Sequence, residues 1–129
     1  GPKDVEKNAV MTPRRDIPGR EGKSSLPIDS LNHQIPAILD DIHNNLLAKA
    51  SKFRDDHTYD PQNYDEFRSL VNSGWVYSYW CGDKACEAKI KEDTKATLRC
   101  IPLDQSIPDG KCIYCSKDAK QKAYFSRAY

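Results

Sequence analysis

Two close pairs of cysteines constrain this 129-residue chain more than any other feature of its sequence. Cys81 and Cys86 are separated by four residues, and Cys112 and Cys115 follow further on, separated by two. Zinc prefers four tetrahedral ligands, and a short turn presents two sulfurs at about one tetrahedral edge, so this layout is typical of a structural zinc site. Gly110, just before the second pair, would allow a tight turn there. The alternative is a set of free, partly buried thiols.

Further expectations follow from the cysteines. Four sulfur ligands leave no open coordination position, so the sequence predicts a structural metal without a hydrolytic role. We expect Cys86, near the start of a helix, to have a lowered thiol pKa. The backbone N–H groups of Ser116 and Lys117 are expected to bond to the sulfurs. Cys100 lies in an apolar strand pattern and is predicted to be a small core residue, an oxidisable thiol or fifth ligand being the alternative.

Composition excludes several classes of protein. Apolar residues make up 38% of the chain, and no window approaches the roughly 20 apolar residues that a membrane helix needs. No export signal is visible and the cysteine count is odd, which favours a cytoplasmic protein with reduced thiols. The net charge is only +1, but two basic ends flank an acidic middle. That asymmetry indicates an anionic partner at the ends, or ordinary solvated surface.

Hydrophobic periodicity predicts an α/β chain. Apolar residues recur at steps of three and four between Leu31 and Phe53, which predicts a surface helix packed on a sheet, with Asp29 or Ser30 as its cap. Asp60 and Pro61 have the pattern of a helix start, and that helix would end at Gly74. The other predicted elements are strands at 8–16, 23–28, 75–80 and 97–103, and a helix capped by Asp83 that runs to Glu92.

One polar triplet suggests nucleic-acid recognition. Arg14, Arg15 and Asp16 follow an apolar strand and precede a turn, where arginine can donate to guanine and aspartate can accept from a base amino group. The alternative is a surface cluster of salt bridges. No phosphate-binding glycine loop or nucleophile elbow is present, and we predict no catalytic residue. The histidines are scattered and none is next to a cysteine in sequence: His33, His43 and His57.

Residue runs along nearly the whole chain resemble class II prolyl-tRNA synthetases of the archaeal and eukaryotic type. Three runs resemble the second half of the anticodon-binding domain: Gly1-Pro2-Lys3-Asp4, Arg14-Arg15-Asp16 and the helix end Ala48-Lys49-Ala50. The later runs resemble the zinc-binding C-terminal domain: Trp80-Cys81-Gly82, Cys86-Glu87, Ile90-Lys91, Arg99-Cys100-Ile101-Pro102, Cys112-x2-Cys115 and Ser126-Arg127-Ala128-Tyr129.

The resemblance implies a fold in two parts and an enzyme to which they belong. Residues 1–58 would be the C-terminal part of an anticodon-binding domain, a mixed sheet with helices. Residues 59–129 would be a small zinc-stapled α+β domain. The parent enzyme would use ATP to attach proline to tRNA(Pro), with ATP and magnesium bound only in a catalytic domain preceding residue 1. The fragment would not be catalytic alone. Its partners would be tRNA(Pro) and the rest of a homodimeric synthetase, without a membrane.

The resemblance also implies site residues. Those predicted to meet the anticodon region, on a strand and the adjoining turn, are Lys3, Asp4, Arg14, Arg15, Asp16 and Lys23. The family often continues Arg-Arg-Asp with Thr and a Gly-Glu-Lys stretch, whereas residues 17–23 differ here. The carboxylate of Tyr129 would reach toward the active site, the alternative being a frayed tail. Two other functions remain open: a stand-alone zinc-containing module that binds RNA or protein, and a scaffolding tail in a multi-synthetase assembly.

Overall fold

The computed structural model describes residues 1–128, and the chain divides into two units between Phe53 and Arg54. It is a mixed α/β fold, which confirms the predicted class. The elements up to residue 56 are α1 (Pro2–Glu6), β1 (Ala9–Pro13), β2 (Lys23–Pro27), a 3₁₀ turn (Ile28–Ser30) and α2 (Leu31–Asp56). β1 and β2 form an antiparallel hairpin in which Val10 is opposite Leu26. Pro13 ends β1 instead of interrupting it, because a proline cannot donate to the ladder.

The start of the chain is helical, so the strand and turn predicted for Lys3 and Asp4 are wrong. Pro2 occupies the first helical position, where its missing N–H is not needed. The backbone N–H groups of Asp4 and Val5 donate to the carbonyl of Gly1 at 3.0 and 3.2 Å. These short-range bonds form one helical turn that the hydrophobic pattern does not reveal.

The long helix α2 is confirmed, and Pro36 lies inside it. Its packing differs from the prediction. Within residues 1–53, all of which are described, the buried apolar side chains are Leu26 of β2 and Ile42 of α2, each 8% exposed. Leu39, Leu47 and Phe53 are more than half exposed. Leu31, Ile35, Ile38 and Leu46 are half-buried, so the apolar stripe is covered only in part.

The second unit is built around one four-stranded sheet in the order β3-β4-β8-β5. β3 is parallel to β4, and the other neighbours are antiparallel. A separate small hairpin joins β6 and β7. The elements are β3 (Thr58–Tyr59), α3 (Tyr64–Leu70), β4 (Trp75–Tyr79), α4 (Lys84–Thr94), β5 (Ala96–Cys100), β6 (Gly110–Lys111), β7 (Asp118–Ala119) and β8 (Lys122–Arg127).

The core of the second unit lies between this sheet and helices α3 and α4. Phe67 of α3 and Phe125 of β8 are completely buried, and their rings meet edge to face at 5.4 Å. Ile90 of α4 and Val76 of β4 are also completely buried. The alternation of buried and half-buried residues along β4 matches a strand with one covered face.

Helix α3 does not start where the sequence predicts. It begins at Tyr64, and the side chain of Asn63 caps it by accepting from the backbone N–H of Glu66 at 2.9 Å. Asp60 instead accepts a charged hydrogen bond from Lys122, and Pro61 is buried. The predicted cap of α4 is confirmed, because the Asp83 side chain accepts a hydrogen bond from the backbone N–H of Ala85.

Gly74 has a different role from the predicted helix stop, since α3 ends at Leu70. A Cβ at position 74 would overlap the carbonyl oxygen of His57. Glycine is therefore required where the chain entering β4 passes close to the backbone before β3. Among residues 1–128, none of the helices combines the length and apolar character that crossing a bilayer would require.

Candidate functional sites

Four cysteine sulfurs converge at one point of the second unit. Cys81 follows β4, Cys86 lies in the first turn of α4, and Cys112 and Cys115 lie in the loop between β6 and β7. All four Sγ atoms lie within 4.8 Å of one another. Cys112 and Cys86 are buried, at 2% and 5% exposure. The two cysteine pairs, which are distant in sequence, therefore meet at one site as predicted.

The sulfur spacing fits a tetrahedral metal. The Sγ of Cys81 lies 3.7 Å from that of Cys86 and 3.7 Å from that of Cys115. A zinc ion with bonds of about 2.3 Å to four sulfurs needs tetrahedral edges of about 3.8 Å. A disulfide would need about 2.05 Å, and all four thiols are free. The donor set and its size thus match a closed four-sulfur site.

The two turns that carry the sulfurs depend on left-handed backbone. Gly82 has φ +85° and Ser116 has φ +58°, each directly after a cysteine. Gly110 acts differently from the prediction: a Cβ there would lie 2.5 Å from the ring of Tyr79, so its small size admits that ring.

Backbone N–H groups donate hydrogen bonds to two of the sulfurs. The prediction for Ser116 and Lys117 is confirmed for Lys117 only. Lys117 donates from its backbone N–H to the sulfur of Cys115. Ser116 instead donates its N–H to the carbonyl of Cys112 at 2.9 Å. In the other turn, Asp83 donates its backbone N–H to the sulfur of Cys81.

The protonation of these thiols differs from the prediction at Cys86. Burial raises the pKa of Cys86, and the nearby thiols of Cys115 and Cys81 raise it further. The helix N-terminus would lower the pKa of Cys86, but this effect is outweighed because the Cys86 thiol is almost completely removed from water. Burial also raises the pKa of Cys81. At Cys115, the hydrogen bond from the Lys117 N–H lowers the pKa to about 7. A metal that binds here must therefore displace protons from the buried sulfurs.

Cys100 is exposed, so its predicted place in the core is wrong. The pairing of β5 with β8 shifts register between Leu98 and Cys100. Such a bulge adds a residue to one strand and turns the next side chain to the other face. Cys100 is thereby placed opposite Tyr124 and lines a shallow hollow beside Trp75.

A second candidate site lies in the loop of residues 14–22, which we call the Arg14 loop. Nε and Nη2 of Arg14 donate to the two carboxylate oxygens of Asp16 at 3.0 and 2.7 Å. Nη1 of Arg14 donates to Asp41 on α2 at 2.5 Å. The Asp16 side chain has no exposed surface. Arg14 holds the pKa of Asp16 well below its usual range, and Asp16 raises the pKa of Arg14 in return.

Helix α2 completes this network with residues that the sequence reasoning missed. Asn45 donates from Nδ2 to the Asp16 carboxylate at 2.6 Å, and Lys49 donates from Nζ to the Asp16 carbonyl at 2.8 Å. Together with Asp41 they recur every four residues, which places three polar groups on one helix face. This four-residue spacing of polar side chains is the sequence signal that could have predicted the network.

The remaining predicted site residues make fewer contacts. Lys3 is exposed on α1, and Asp4 accepts from the amino group of Gly1 at 2.7 Å. Arg15 is exposed in the Arg14 loop, and Lys23 is exposed at the start of β2. Tyr129 lies outside the described residues. Within the described chain, Arg14 and Asp16 are the predicted anticodon residues that contact each other directly.

Comparisons with known proteins assign the chain to a family. A family model described as "Prolyl-tRNA synthetase, C-terminal" matches residues 64–129. The whole chain aligns at 47% identity with a proline–tRNA ligase of Roseiflexus sp. (strain RS-1) and covers 27% of it. It aligns at 40% with proline–tRNA ligase 2 of Bacillus thuringiensis (strain Al Hakam), again covering 27%. The chain thus spans about a quarter of the curated relatives it matches.

A solved structure shows the same fold over the full length. Prolyl-tRNA synthetase from Cryptosporidium parvum, in a crystal structure with halofuginone and AMPPNP, superposes with a TM-score of 0.86 at 33% identity. The match covers 100% of this chain and 27% of that one. The resemblance read from the residue runs is confirmed, and the chain belongs to the family of prolyl-tRNA synthetase C-terminal regions.

Proposed function

We propose that the chain is the C-terminal part of a proline–tRNA ligase, which attaches proline to tRNA(Pro) with ATP. The observation that carries this proposal is the alignment of all 129 residues with proline–tRNA ligases at up to 47% identity. The chain itself contributes RNA binding and structure. ATP and magnesium belong to a catalytic domain elsewhere in the enzyme, which acts as a cytoplasmic homodimer.

The first unit binds the anticodon region of tRNA(Pro). We place this binding site on α1, the Arg14 loop and the start of β2, and the residues that build it are Lys3, Asp4, Arg14, Arg15, Asp16 and Lys23. Three features support the assignment: Lys3, Arg15 and Lys23 are exposed cations, the loop geometry is closely fixed, and phosphate contacts by such cations supply most of the affinity for RNA.

The second unit holds one structural zinc. Cys81, Cys86, Cys112 and Cys115 would be its ligands, because their sulfurs have the separation that zinc requires. When bound, zinc joins α4 to the β6–β7 loop and contributes folding free energy to a small core.

The test is aminoacylation by the longer protein that contains this chain. We expect that protein to form prolyl-tRNA(Pro) with ATP, and the 129-residue chain alone to form none. Anticodon variants of tRNA(Pro) should be charged less efficiently by the longer protein, at a cost of about 1–3 kcal/mol per lost bidentate contact. If the native product is a lone 129-residue chain without a companion, the stand-alone zinc module replaces this proposal.

A further inference from the structure

We propose that Arg14 and Asp16 are positioning residues that fix the Arg14 loop against α2, and that Arg15 between them is the residue of this triplet that contacts RNA. The inference rests on the proposed binding of the anticodon region and divides the roles within it. The division is based on which side chains of the triplet already form hydrogen bonds within the protein and which form none.

Asp16 has no surface to offer to a base. Its side chain is completely buried. One carboxylate oxygen accepts from Nε of Arg14, and the other accepts from Nη2 of Arg14 and Nδ2 of Asn45. Its carbonyl accepts from Nζ of Lys49. A base amino group could reach the carboxylate only after this network had opened.

Arg14 is similarly engaged. Its Nε, Nη1 and Nη2 all donate to carboxylates, and its side chain is only 18% exposed. Two carboxylates, those of Asp16 and Asp41, lie against one guanidinium. The local positive charge is therefore compensated, and the fork geometry that would bind a phosphate or guanine is already used inside the protein.

Arg15 has the opposite environment. It is exposed and forms no hydrogen bond or ion pair with another residue in the 1–128 range. Its neighbours on both sides are held by the network, so its Cα position is fixed while its guanidinium is free. Such an arginine keeps five donors available and loses little backbone entropy when it binds a phosphate or a guanine.

The two ends of the Arg14 loop are also held together by the backbone. The backbone N–H of Arg14 donates to the carbonyl of Gly22 at 2.7 Å. A Cβ at Gly22 would overlap the carbonyl oxygen of Ile17, so the chain crosses itself where only glycine fits. The loop is therefore constrained at its base by backbone bonds and along its side by α2, which leaves Arg15 as a presented side chain.

The experiment measures binding of the longer protein that contains this chain, with zinc bound, to a tRNA(Pro) transcript over a series of salt concentrations. Arg15→Ala should weaken binding about tenfold, which corresponds to one lost bidentate contact. It should also reduce the slope of log K against log salt by about 0.7–0.9, the value for one phosphate contact. Arg54→Ala, which removes an exposed arginine of the second unit, is the charge-matched control and should do neither.

Arg14→Lys keeps the charge but loses the bidentate fork, and Asp16→Asn keeps the shape but loses the charge. Both should weaken binding while the salt slope stays at the wild-type value. In the absence of RNA, both should speed amide hydrogen exchange at residue 14 and Lys23, whose backbone N–H groups donate to Gly22 and Arg20 at the base of the loop. Arg15→Ala should leave this exchange unchanged. The measurement reports on the network without RNA, and Arg14→Lys serves if Asp16→Asn does not fold.

Three outcomes would overturn the proposal: a reduced slope for Asp16→Asn or Arg14→Lys equal to that of Arg15→Ala, Arg15→Ala binding like Arg54→Ala, or unchanged exchange in both network variants. They differ from failure of the proposed function, in which the wild-type longer protein itself shows no preference for tRNA(Pro). That result would remove the RNA contact of Arg15, and the exchange data would still decide whether Arg14 and Asp16 fix the loop.

Discussion

Nζ of Lys122 on β8 donates to the carboxylate of Asp60 at 2.6 Å, although the two residues are 62 positions apart. The lysine side chain is 11% exposed, and its ammonium lies 5.2 Å and 4.9 Å from the ring centres of Tyr77 and Tyr79. A nearly buried ammonium is thus held by one carboxylate and two aromatic faces.

Asp60→Asn should destabilise the second unit by about 1.5–3 kcal/mol, because it leaves a largely buried ammonium without its charged partner. Urea unfolding of the zinc-loaded chain measures the change. Asp55→Asn is the matched control, since Asp55 pairs with Arg54 on the surface with both side chains about two-thirds exposed. Such pairs contribute about 0.2–1 kcal/mol. Equal effects of the two substitutions would contradict the assignment.

Protein purified without added zinc should contain close to one zinc per chain by elemental analysis. Cys112→Ser should abolish this and unfold the second unit, because metal binding supplies folding free energy to a core of this size. Cys100→Ser is the control and should keep both the zinc and the melting temperature. A metal-free sample with an unaltered melting curve would contradict the assignment of a structural zinc.

The first unit should lose stability in acid through Asp16. The pKa of Asp16 in the folded chain is held below its ordinary value of 3.8 by the Arg14 hydrogen bonds. A lowered folded-state pKa contributes stability that is fully present well above about pH 4 and is lost as the pH falls below it. Protection of the Lys23 N–H from hydrogen exchange, taken relative to the intrinsic exchange rate at each pH, should fall between about pH 6 and pH 3. Asp16→Asn, which cannot titrate, should show a flatter profile, and parallel profiles would refute the prediction.

Gly74→Ala should destabilise the second unit by about 1–3 kcal/mol, the usual cost of forcing an extra methyl group into a packed site. The added Cβ would overlap the His57 carbonyl oxygen and would meet the Tyr59 ring at 3.1 Å. Thermal unfolding followed by circular dichroism measures the effect. Ser73→Ala changes the exposed neighbouring side chain and should be nearly neutral. A neutral Gly74→Ala would mean that the backbone at β3 can move aside.

Features that depend on local sequence were predicted well. The helical stripe between Leu31 and Phe53 produces α2, and Asp83 caps α4, because both depend on residues within one turn or one period. The four-sulfur cluster was also predicted, since cysteine spacing encodes the geometry of a metal knuckle directly.

Features that depend on distant partners were not predicted. Asp60 has the pattern of a helix cap, but Lys122 on β8 binds it and Asn63 takes over the capping. Cys100 follows an apolar alternation, and one bulge against β8 reverses its direction. The thiol pKa of Cys86 depends on burial among three other sulfurs, which outweighs its position at a helix start.

The bulge at Cys100 also has a practical use. Four of the five thiols converge in the metal cluster, and Cys100 is exposed apart from them on β5. Maleimide reagents should therefore couple to this single sulfur in the metal-loaded chain. A fluorophore or nitroxide attached there would report distances to labelled tRNA without any engineered mutation.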